Sequence, residues 1–174
     1  MGQLCYLQLL ERNDMNYYTH YQSPIGRLTL QSNDRGLTGA WFDDQSTAPE
    51  KFGTESHQHP ILTQTIREYE EYFSGLRHVF DIPIDPKGTD FQQQVWRSLQ
   101  RIPFGETQSY QELAIAIQNP KAVRAVGMAN GKNPISIIVP CHRVIGKNGK
   151  LTGYAGGLEN KQKLLQLEAE YARK

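Results

Sequence analysis

The chain has 174 residues and a formal net charge of +1, enough length to bury a core as one domain or two small ones. Its two cysteines, Cys5 and Cys141, are too far apart for a disulfide framework or a zinc motif, which predicts a reducing, cytoplasmic location. No apolar stretch approaches transmembrane length, and residues 1–14 lack the basic region of a signal peptide, so we expect no membrane partner.

The charge is unevenly divided along the chain. Residues 1–87 contain seven Lys or Arg and twelve Asp or Glu. Residues 88–174 contain twelve Lys or Arg and six Asp or Glu. A basic half beside an acidic half points to a polyanion, nucleic acid first, as the partner of the second half. Ordinary scatter of surface charge is the alternative.

The first half has the pattern of a small α/β domain. Turn-rich segments separate three predicted strands, at residues 17–21, 26–32 and 36–42. A polar loop at residues 45–59, a helix at 61–73 and a fourth strand at 78–84 follow. We therefore predict one domain over residues 1–87, in which residues 1–14 are an extension. His57 and His59 have no third ligand nearby, so we expect no metal.

The second half, residues 88–174, begins with predicted helices. The first spans residues 89–101, and Ser109 and Glu112 then form a capping-box pattern that starts a short helix at 110–117. Asn119 is the predicted N-cap, and Pro120 the first position, of a third helix that ends near residue 131. Two helices joined by a tight turn give the outline of a helix-turn-helix.

The second helix of this pair has an almost bare surface. It carries alanine and glycine at five positions, with charge from Lys121, Arg124 and Lys132. Small residues would let the helix approach a narrow groove closely, with Arg124 as its one long probe. Packing of the small residues against another helix explains the composition equally well.

An apolar run at residues 135–139 leads into Pro140, Cys141, His142 and Arg143. A run this apolar is predicted to be buried, with a stiff exit at the proline. Cys141 and His142 are expected in an extended segment, where consecutive side chains point opposite ways. Positive charge beside a thiol favours the thiolate, which is the nucleophilic form, so Cys141 is a candidate nucleophile. The alternative is a buried cysteine that acts as a small hydrophobe.

The last predicted helix, residues 159–172, places a carboxylate on its inward face. Lys161, Leu164, Leu165 and Glu168 recur at helical spacing, so Glu168 shares the face of the leucines. A buried carboxylate needs a partner, and His142, which Glu168 would orient and hold positive, is the candidate. A frayed helix end with Glu168 in solvent is the alternative.

These motifs together resemble one protein family, the O6-alkylguanine-DNA alkyltransferases, also called methylated-DNA–protein-cysteine methyltransferases. The resemblance covers most of residues 89–168, through FQQQVW (91–96), FGET (104–107), SYQELA (109–114), NPKAVRAVG (119–127), NPISIIVPCHRVIG (133–146), GYAGG (153–157) and LLQLE (164–168). It implies a ribonuclease-H-like α/β first domain, with a small antiparallel sheet and a helix. A mainly α second domain with a winged-helix-like helix-turn-helix would follow.

The resemblance also implies a repair reaction that each molecule performs once. An alkyl group would pass from O6 of guanine, or O4 of thymine, in double-stranded DNA to Cys141, with no cofactor. Glu168 would polarise His142, which would take the thiol proton through a water molecule. Asn133 would hold the loop together, and Tyr110 would turn the phosphate and protonate the departing base.

The same resemblance assigns a DNA-binding surface and a base pocket. Arg124 would fill the space left by a flipped nucleotide, on a helix that lies in the minor groove. The implied DNA-binding residues are Tyr110, Gln111, Asn119, Ala122, Arg124, Ala125 and Gly127. The implied pocket residues are Val144, Tyr154 and Ala155, where some relatives have serine in place of Ala155. The protein is expected to act as a monomer, with cooperative binding to DNA left open.

Two other functions compete with this one. A module that binds damaged DNA without transfer would not need Cys141. A cysteine hydrolase could use Cys141, His142 and Glu168, but the helix-turn-helix and the basic half would then have no purpose.

Overall fold

A computed structural model describes residues 15–174, so the predicted extension at residues 1–14 lies outside the described residues. The first half forms a four-stranded sheet in the order β3-β2-β1-β4, made of Tyr17–Ser23 (β1), Gly26–Ser32 (β2), Leu37–Phe42 (β3) and Thr54–Glu55 (β4). The three predicted strands are confirmed and pair antiparallel. β4 pairs parallel to β1 and was missed, because two exposed residues carry no alternating pattern.

One helix of the first half, α1 (Pro60–Phe73), packs against β1 and β2. Its buried face consists of Leu62, Thr65, Glu68, Tyr69, Tyr72 and Phe73. The helix ends in a Schellman turn, in which the Leu76 amide donates to the Glu71 carbonyl at 2.8 Å and the Gly75 amide to the Tyr72 carbonyl at 3.0 Å. Gly75 has a φ of +77°, which an L side chain rarely adopts.

The predicted strand at residues 78–84 is wrong. The segment makes a single bridge to the sheet, between Ile84 and Leu37. Pro83 has no amide hydrogen to contribute to a ladder, and the Asp81 amide donates instead to the Glu68 carboxylate at 2.9 Å. The segment therefore meets the sheet only at Leu37, whose amide donates to the Pro83 carbonyl at 2.8 Å, and does not form a strand.

The second half is mainly helical, as predicted. It consists of Asp90–Leu99 (α2), Gln108–Ser109 (β5), Tyr110–Ala116 (α3), Val123–Gly131 (α4), Val144–Ile145 (β6) and Leu158–Tyr171 (α5). The capping box of Ser109 and Glu112 is confirmed. β5 and β6 pair in parallel. The Trp96 indole donates to the Ala129 carbonyl at 2.9 Å and so joins α2 to α4.

The start of α4 differs from the prediction. Its N-cap is Ala122, and residues 119–121 form a turn in which the Ala122 amide donates to the Asn119 carbonyl at 3.0 Å. Gln118 has a φ of +60°, because the chain must reverse between α3 and α4. Helical geometry therefore begins three residues later than Pro120 suggested.

The two halves share backbone hydrogen bonds at the open edge of β3. The Ala40 amide donates to the Pro134 carbonyl at 2.8 Å, and the Ser136 amide donates to the Ala40 carbonyl at 3.0 Å. The segment that leads to Cys141 is therefore attached directly to the sheet of the first half. No helix among residues 15–174 is long and apolar enough to cross a membrane.

Gly75→Ala is expected to lower the free energy of unfolding by about 2 kcal/mol, since alanine resists a left-handed φ. A Cβ at this position would also lie 2.3 Å from the Tyr171 ring. Gly131→Ala is the matched control, because nothing lies within 4 Å of its added Cβ. We expect that variant to be at least as stable as the parent in denaturant titration. Equal stability of the two variants would contradict the role of Gly75.

Candidate active site

Asn133 holds together the loop that carries Cys141. Its buried side chain donates from Nδ2 to the carbonyls of Ile135 at 3.2 Å and Val139 at 2.8 Å, and to Sγ of Cys141 at 3.2 Å. Oδ1 accepts from the Ile135 amide at 2.9 Å. One carboxamide therefore fixes both ends of residues 135–139 and contacts the thiol.

Residues 135–139 are buried, as predicted, but the extended segment expected at Cys141 and His142 is wrong. The Ile138 amide donates to the Ser136 carbonyl at 2.9 Å, a γ-turn that gives Ile137 a φ of +74°. A second γ-turn brings the Cys141 amide to the Val139 carbonyl at 2.8 Å. Cys141–Arg143 then form one turn of 3₁₀ helix. A β-branched residue at positive φ is strained, and the Asn133 bonds hold it there.

His142 and Glu168 form a buried pair. Nε2 of His142 lies 2.7 Å from Oε1 of Glu168, and the side chains are 0 % and 1 % exposed. A carboxylate only accepts hydrogen bonds, so Nε2 carries the hydrogen and the lone pair of the neutral ring is on Nδ1. Nδ1 is buried and has no hydrogen-bond partner among the described residues.

Arg143 neutralises the carboxylate of Glu168. Nε donates to Oε2 and Nη2 to Oε1, both at 2.9 Å, and Nη1 donates to the Ile102 carbonyl at 2.6 Å. Burial alone would raise the pKa of Glu168, but His142 and Arg143 outweigh it and hold that pKa far below its usual range. Burial, together with the Arg143 charge, lowers the pKa of His142 despite the opposing effect of Glu168. The prediction of a positive His142 is therefore wrong.

The thiol of Cys141 is not activated in the free protein. Cys141 is 4 % exposed. Burial raises its pKa to about 11, although the Asn133 hydrogen bond and the Lys161 charge act in the opposite direction. Arg143 was expected to favour the thiolate, but its guanidinium is engaged with Glu168. The neutral thiol of Cys141 and the neutral imidazole of His142 therefore belong to adjacent residues of the chain.

Lys161 is a further residue of the site. The sequence predicts it on the inward face of the last helix but indicates no role for it. Its fully buried ammonium donates to the Val144 carbonyl at 2.6 Å and to the Thr152 carbonyl at 2.8 Å. It therefore joins β6, the strand that follows Cys141, to the glycine-rich loop at residues 151–157. The helical spacing of Lys161 from Leu164 and Glu168 was the signal in the sequence that could have revealed this role.

The three predicted pocket residues are not arranged alike. Val144 is fully buried in β6. Tyr154 and Ala155 line an open groove of about 430 Å³, together with Phe42 and Gln45 of the first half. The Tyr154 hydroxyl is buried without a hydrogen-bond partner among the described residues. Cys141 is not among the residues that line this groove.

Tyr110 and α4 form a continuous surface. A Cβ on Gly127 would lie 3.8 Å from the Tyr110 ring, whose hydroxyl accepts from Thr152 Oγ1 at 3.1 Å. The other predicted DNA-binding residues border the same helix: Arg124, Ala125 and Asn119 are exposed, Ala122 is half-buried, and Gln111 donates to the Pro120 carbonyl at 3.1 Å. Met128, 72 % exposed, was not predicted.

The state of the thiol gives a direct test. In a Cys5→Ser chain, where Cys141 is the only cysteine, we expect iodoacetamide at pH 8 to react about tenfold or more slowly than with an unfolded control. A rise in the thiol pKa from about 8.5 to about 11 lowers the thiolate fraction at pH 8 by roughly 200-fold. A more basic thiolate is also more nucleophilic, and this offsets only part of that decrease. The rate should rise continuously above pH 9. Rapid labelling at pH 8 by mass spectrometry would contradict the raised pKa.

Family models match both halves of the chain. The model described as "6-O-methylguanine DNA methyltransferase, DNA binding domain" matches residues 90–170. The model described as "6-O-methylguanine DNA methyltransferase, ribonuclease-like domain" matches residues 16–86. Groups of three or more His, Cys, Asp or Glu that could hold a metal are absent from the described residues.

Similar proteins cover nearly the whole chain. A methylated-DNA–protein-cysteine methyltransferase of Haemophilus influenzae is 48 % identical over 87 % of this chain and 86 % of its own length. A methylated-DNA–protein-cysteine methyltransferase of Mycolicibacterium paratuberculosis is 50 % identical over 89 % of this chain and 93 % of its own length. The crystal structure of a Mycobacterium tuberculosis O6-methylguanine methyltransferase matches with a TM-score of 0.83 and 47 % identity, over 90 % of this chain and 94 % of that one. The chain belongs to the 6-O-methylguanine DNA methyltransferase family.

Proposed function

We propose that this protein repairs DNA by moving the alkyl group of O6-alkylguanine, or of O4-alkylthymine, to Sγ of Cys141. The observation that carries the proposal is the buried arrangement of Asn133, Cys141, His142 and Glu168 described above. Curated relatives up to 50 % identical are named methylated-DNA–protein-cysteine methyltransferases, which supports the same reaction. A thioether has no easy route back to a thiol, so each molecule acts once.

His142 is the proposed base. Its Nε2 is held by Glu168, so Nδ1 alone is free to accept a proton, and a bridging water would carry that proton from Cys141. A neutral imidazole is the form that such a base requires. Burial raises the pKa of the thiol to about 11, so we propose that the thiolate forms as the proton moves to His142 beside a bound substrate.

The proposed transfer breaks the bond between the alkyl carbon and O6 and forms a bond between that carbon and Sγ. The electron pair of the broken bond stays on the guanine, which takes a proton from the Tyr110 hydroxyl. The proton held by His142 then returns to the Tyr110 phenolate through solvent. Thiol and alkylated base thus become thioether and normal base, with no cofactor.

The burial of Cys141 supports the proposal that the damaged base leaves the duplex. Only 4 % of this residue is exposed, so a stacked base could not reach Sγ. We propose that the flipped base enters beside Val144, Tyr154 and Ala155 once the glycine-rich loop opens. The Tyr154 hydroxyl, which has no partner among residues 15–174, would then be available to it.

The proposed DNA-binding surface is α4 with Tyr110. Exposed Ala125 and half-buried Ala122 and Gly127 leave room for a minor-groove wall, and Arg124 would fill the gap in the base stack. The structure of a Mycobacterium tuberculosis relative, described as OGT in complex with DNA, has a TM-score of 0.83 and 46 % identity to this chain. We further propose that residues 1–87 and 88–174 are the two domains.

Duplex DNA with one O6-methylguanine should add one methyl group to each protein molecule. Intact-protein mass spectrometry should find the gain on Cys141 and stop at one equivalent. Cys141→Ala should show no gain, while Cys5→Ser should behave as the parent. Turnover beyond one equivalent, binding without transfer, or hydrolysis of an ester substrate would contradict the proposal.

Arg124→Ala should slow methyl transfer from duplex DNA by roughly tenfold or more, since the unfilled stack costs a few kcal/mol. Transfer from O6-benzylguanine as a free base should change by less than about threefold. Arg97→Ala, which removes another exposed arginine of the basic half, is the matched control and should affect both substrates little. Equal losses on duplex and free base would refute the role of Arg124.

A further inference from the structure

Glu168 accepts hydrogen bonds from three parts of the chain besides its own helix. Oε1 receives the Tyr72 hydroxyl at 2.7 Å, Nε2 of His142 at 2.7 Å and Nη2 of Arg143 at 2.9 Å. Oε2 receives Nε of Arg143 at 2.9 Å and the Gly105 amide at 3.3 Å. Of these five donors, only the Tyr72 hydroxyl comes from the first half of the chain.

The surroundings of Tyr72 keep its hydroxyl neutral, so that it remains a hydrogen-bond donor. It is fully buried on α1, and its ring packs against Phe73, Phe80 and Phe104, with centroids 5.2 to 5.8 Å away. Burial and the charge of Glu168 raise the pKa of this tyrosine well above its usual value. The hydroxyl therefore keeps its hydrogen and directs it at the oxygen that also binds His142.

A second tyrosine of the same helix supports the other end of the site. Tyr69, three residues before Tyr72 and on the same helix face, donates from its hydroxyl to the Ser136 carbonyl at 2.7 Å. That carbonyl is the acceptor of the γ-turn at Ile137. Helix α1 thus contacts both the loop that carries Cys141 and the pair that includes its base.

We infer that Tyr72 is a positioning residue for alkyl transfer, through which the first half of the chain fixes the His142 ring and limits how strongly that ring binds a proton. The inference deepens the proposed function and rests on it for its catalytic meaning. A hydrogen bond to Oε1 withdraws charge from the oxygen that would otherwise stabilise the imidazolium. Without the bond, His142 would be protonated over a wider range of pH and less available as a base.

Four other charged or titratable groups surround Tyr72 and His142. Arg143 and Lys161 act on His142 directly and both oppose its protonation, whereas Glu168 favours it. Tyr154 interacts electrostatically with Glu168 as well as with Cys141. All four remain in place in a Tyr72→Phe variant, which removes one hydroxyl and keeps the ring.

The test compares Tyr72→Phe with the parent chain in two measurements. In the first, the His142 ring is titrated by NMR in full-length, ¹⁵N-histidine-labelled protein without DNA, with its signal assigned by its loss in His142→Gln. We expect the variant to titrate at higher pH by roughly half a unit to one unit. In the second, the acid limb of the pH–rate profile of methyl transfer should move upward by the same amount.

Tyr21→Phe is the matched control. Tyr21 stacks on Tyr69 at 5.7 Å within the same aromatic cluster, so it reports the loss of a hydroxyl that does not contact Glu168. Its titration and rate profile should match those of the parent. If Tyr72→Phe lowers thermal stability but leaves the His142 titration unchanged, Tyr72 only packs and the inference is overturned. Because that titration needs no DNA, failure of methyl transfer in the parent chain would refute the proposed function separately.

Discussion

The carboxylate of Glu168 is the constraint around which the second half is assembled. A buried charge is destabilising by several kcal/mol unless it is paired and fully hydrogen-bonded. Here the requirement is met by groups from α1, the turn at Gly105 and the 3₁₀ turn at residues 142–143. Segments that are far apart in the chain are fixed relative to one another because one carboxylate must be satisfied.

This arrangement explains how the proposed nucleophile is kept unreactive in the free protein. Arg143 neutralises Glu168 instead of acting on the thiol, and the imidazole of His142 remains uncharged. Cys141 stays a buried thiol with a pKa of about 11. A protein that can react only once gains from a nucleophile that forms only when its substrate is bound, since reaction with other electrophiles would waste the molecule.

The sequence was most informative where the pattern was local. Helical spacing placed Lys161, Leu164 and Glu168 on one buried face, and the serine capping box located α3. It failed for the extended segment expected at Cys141 and His142, because residues 135–139, whose β-branched composition favours a strand, do not form one. The side chain of Asn133 overrides that preference by bonding both ends of the segment.

Other parts of the site could not be predicted, because they depend on contacts between distant residues. Tyr72 lies 96 positions before Glu168, and no local pattern distinguishes it from Tyr69, the other tyrosine of α1. Likewise, the helical start predicted at Pro120 was displaced by the reversal at Gln118, which depends on how α3 and α4 pack. The family resemblance supplied residue roles, whereas the hydrogen bonds show which segments support those residues.

The bonds between β3 and the active-site loop have a consequence for solubility. β3 is an outer strand of its sheet, and Leu37 and Ala40 would present unpaired amides and carbonyls if residues 83–85 and 134–136 did not cover them. An uncovered strand of this kind is a template for pairing with another chain. Any event that displaces residues 134–136 would uncover this edge at Ala40. The same segment therefore serves both the chemistry and the protection of the sheet against aggregation.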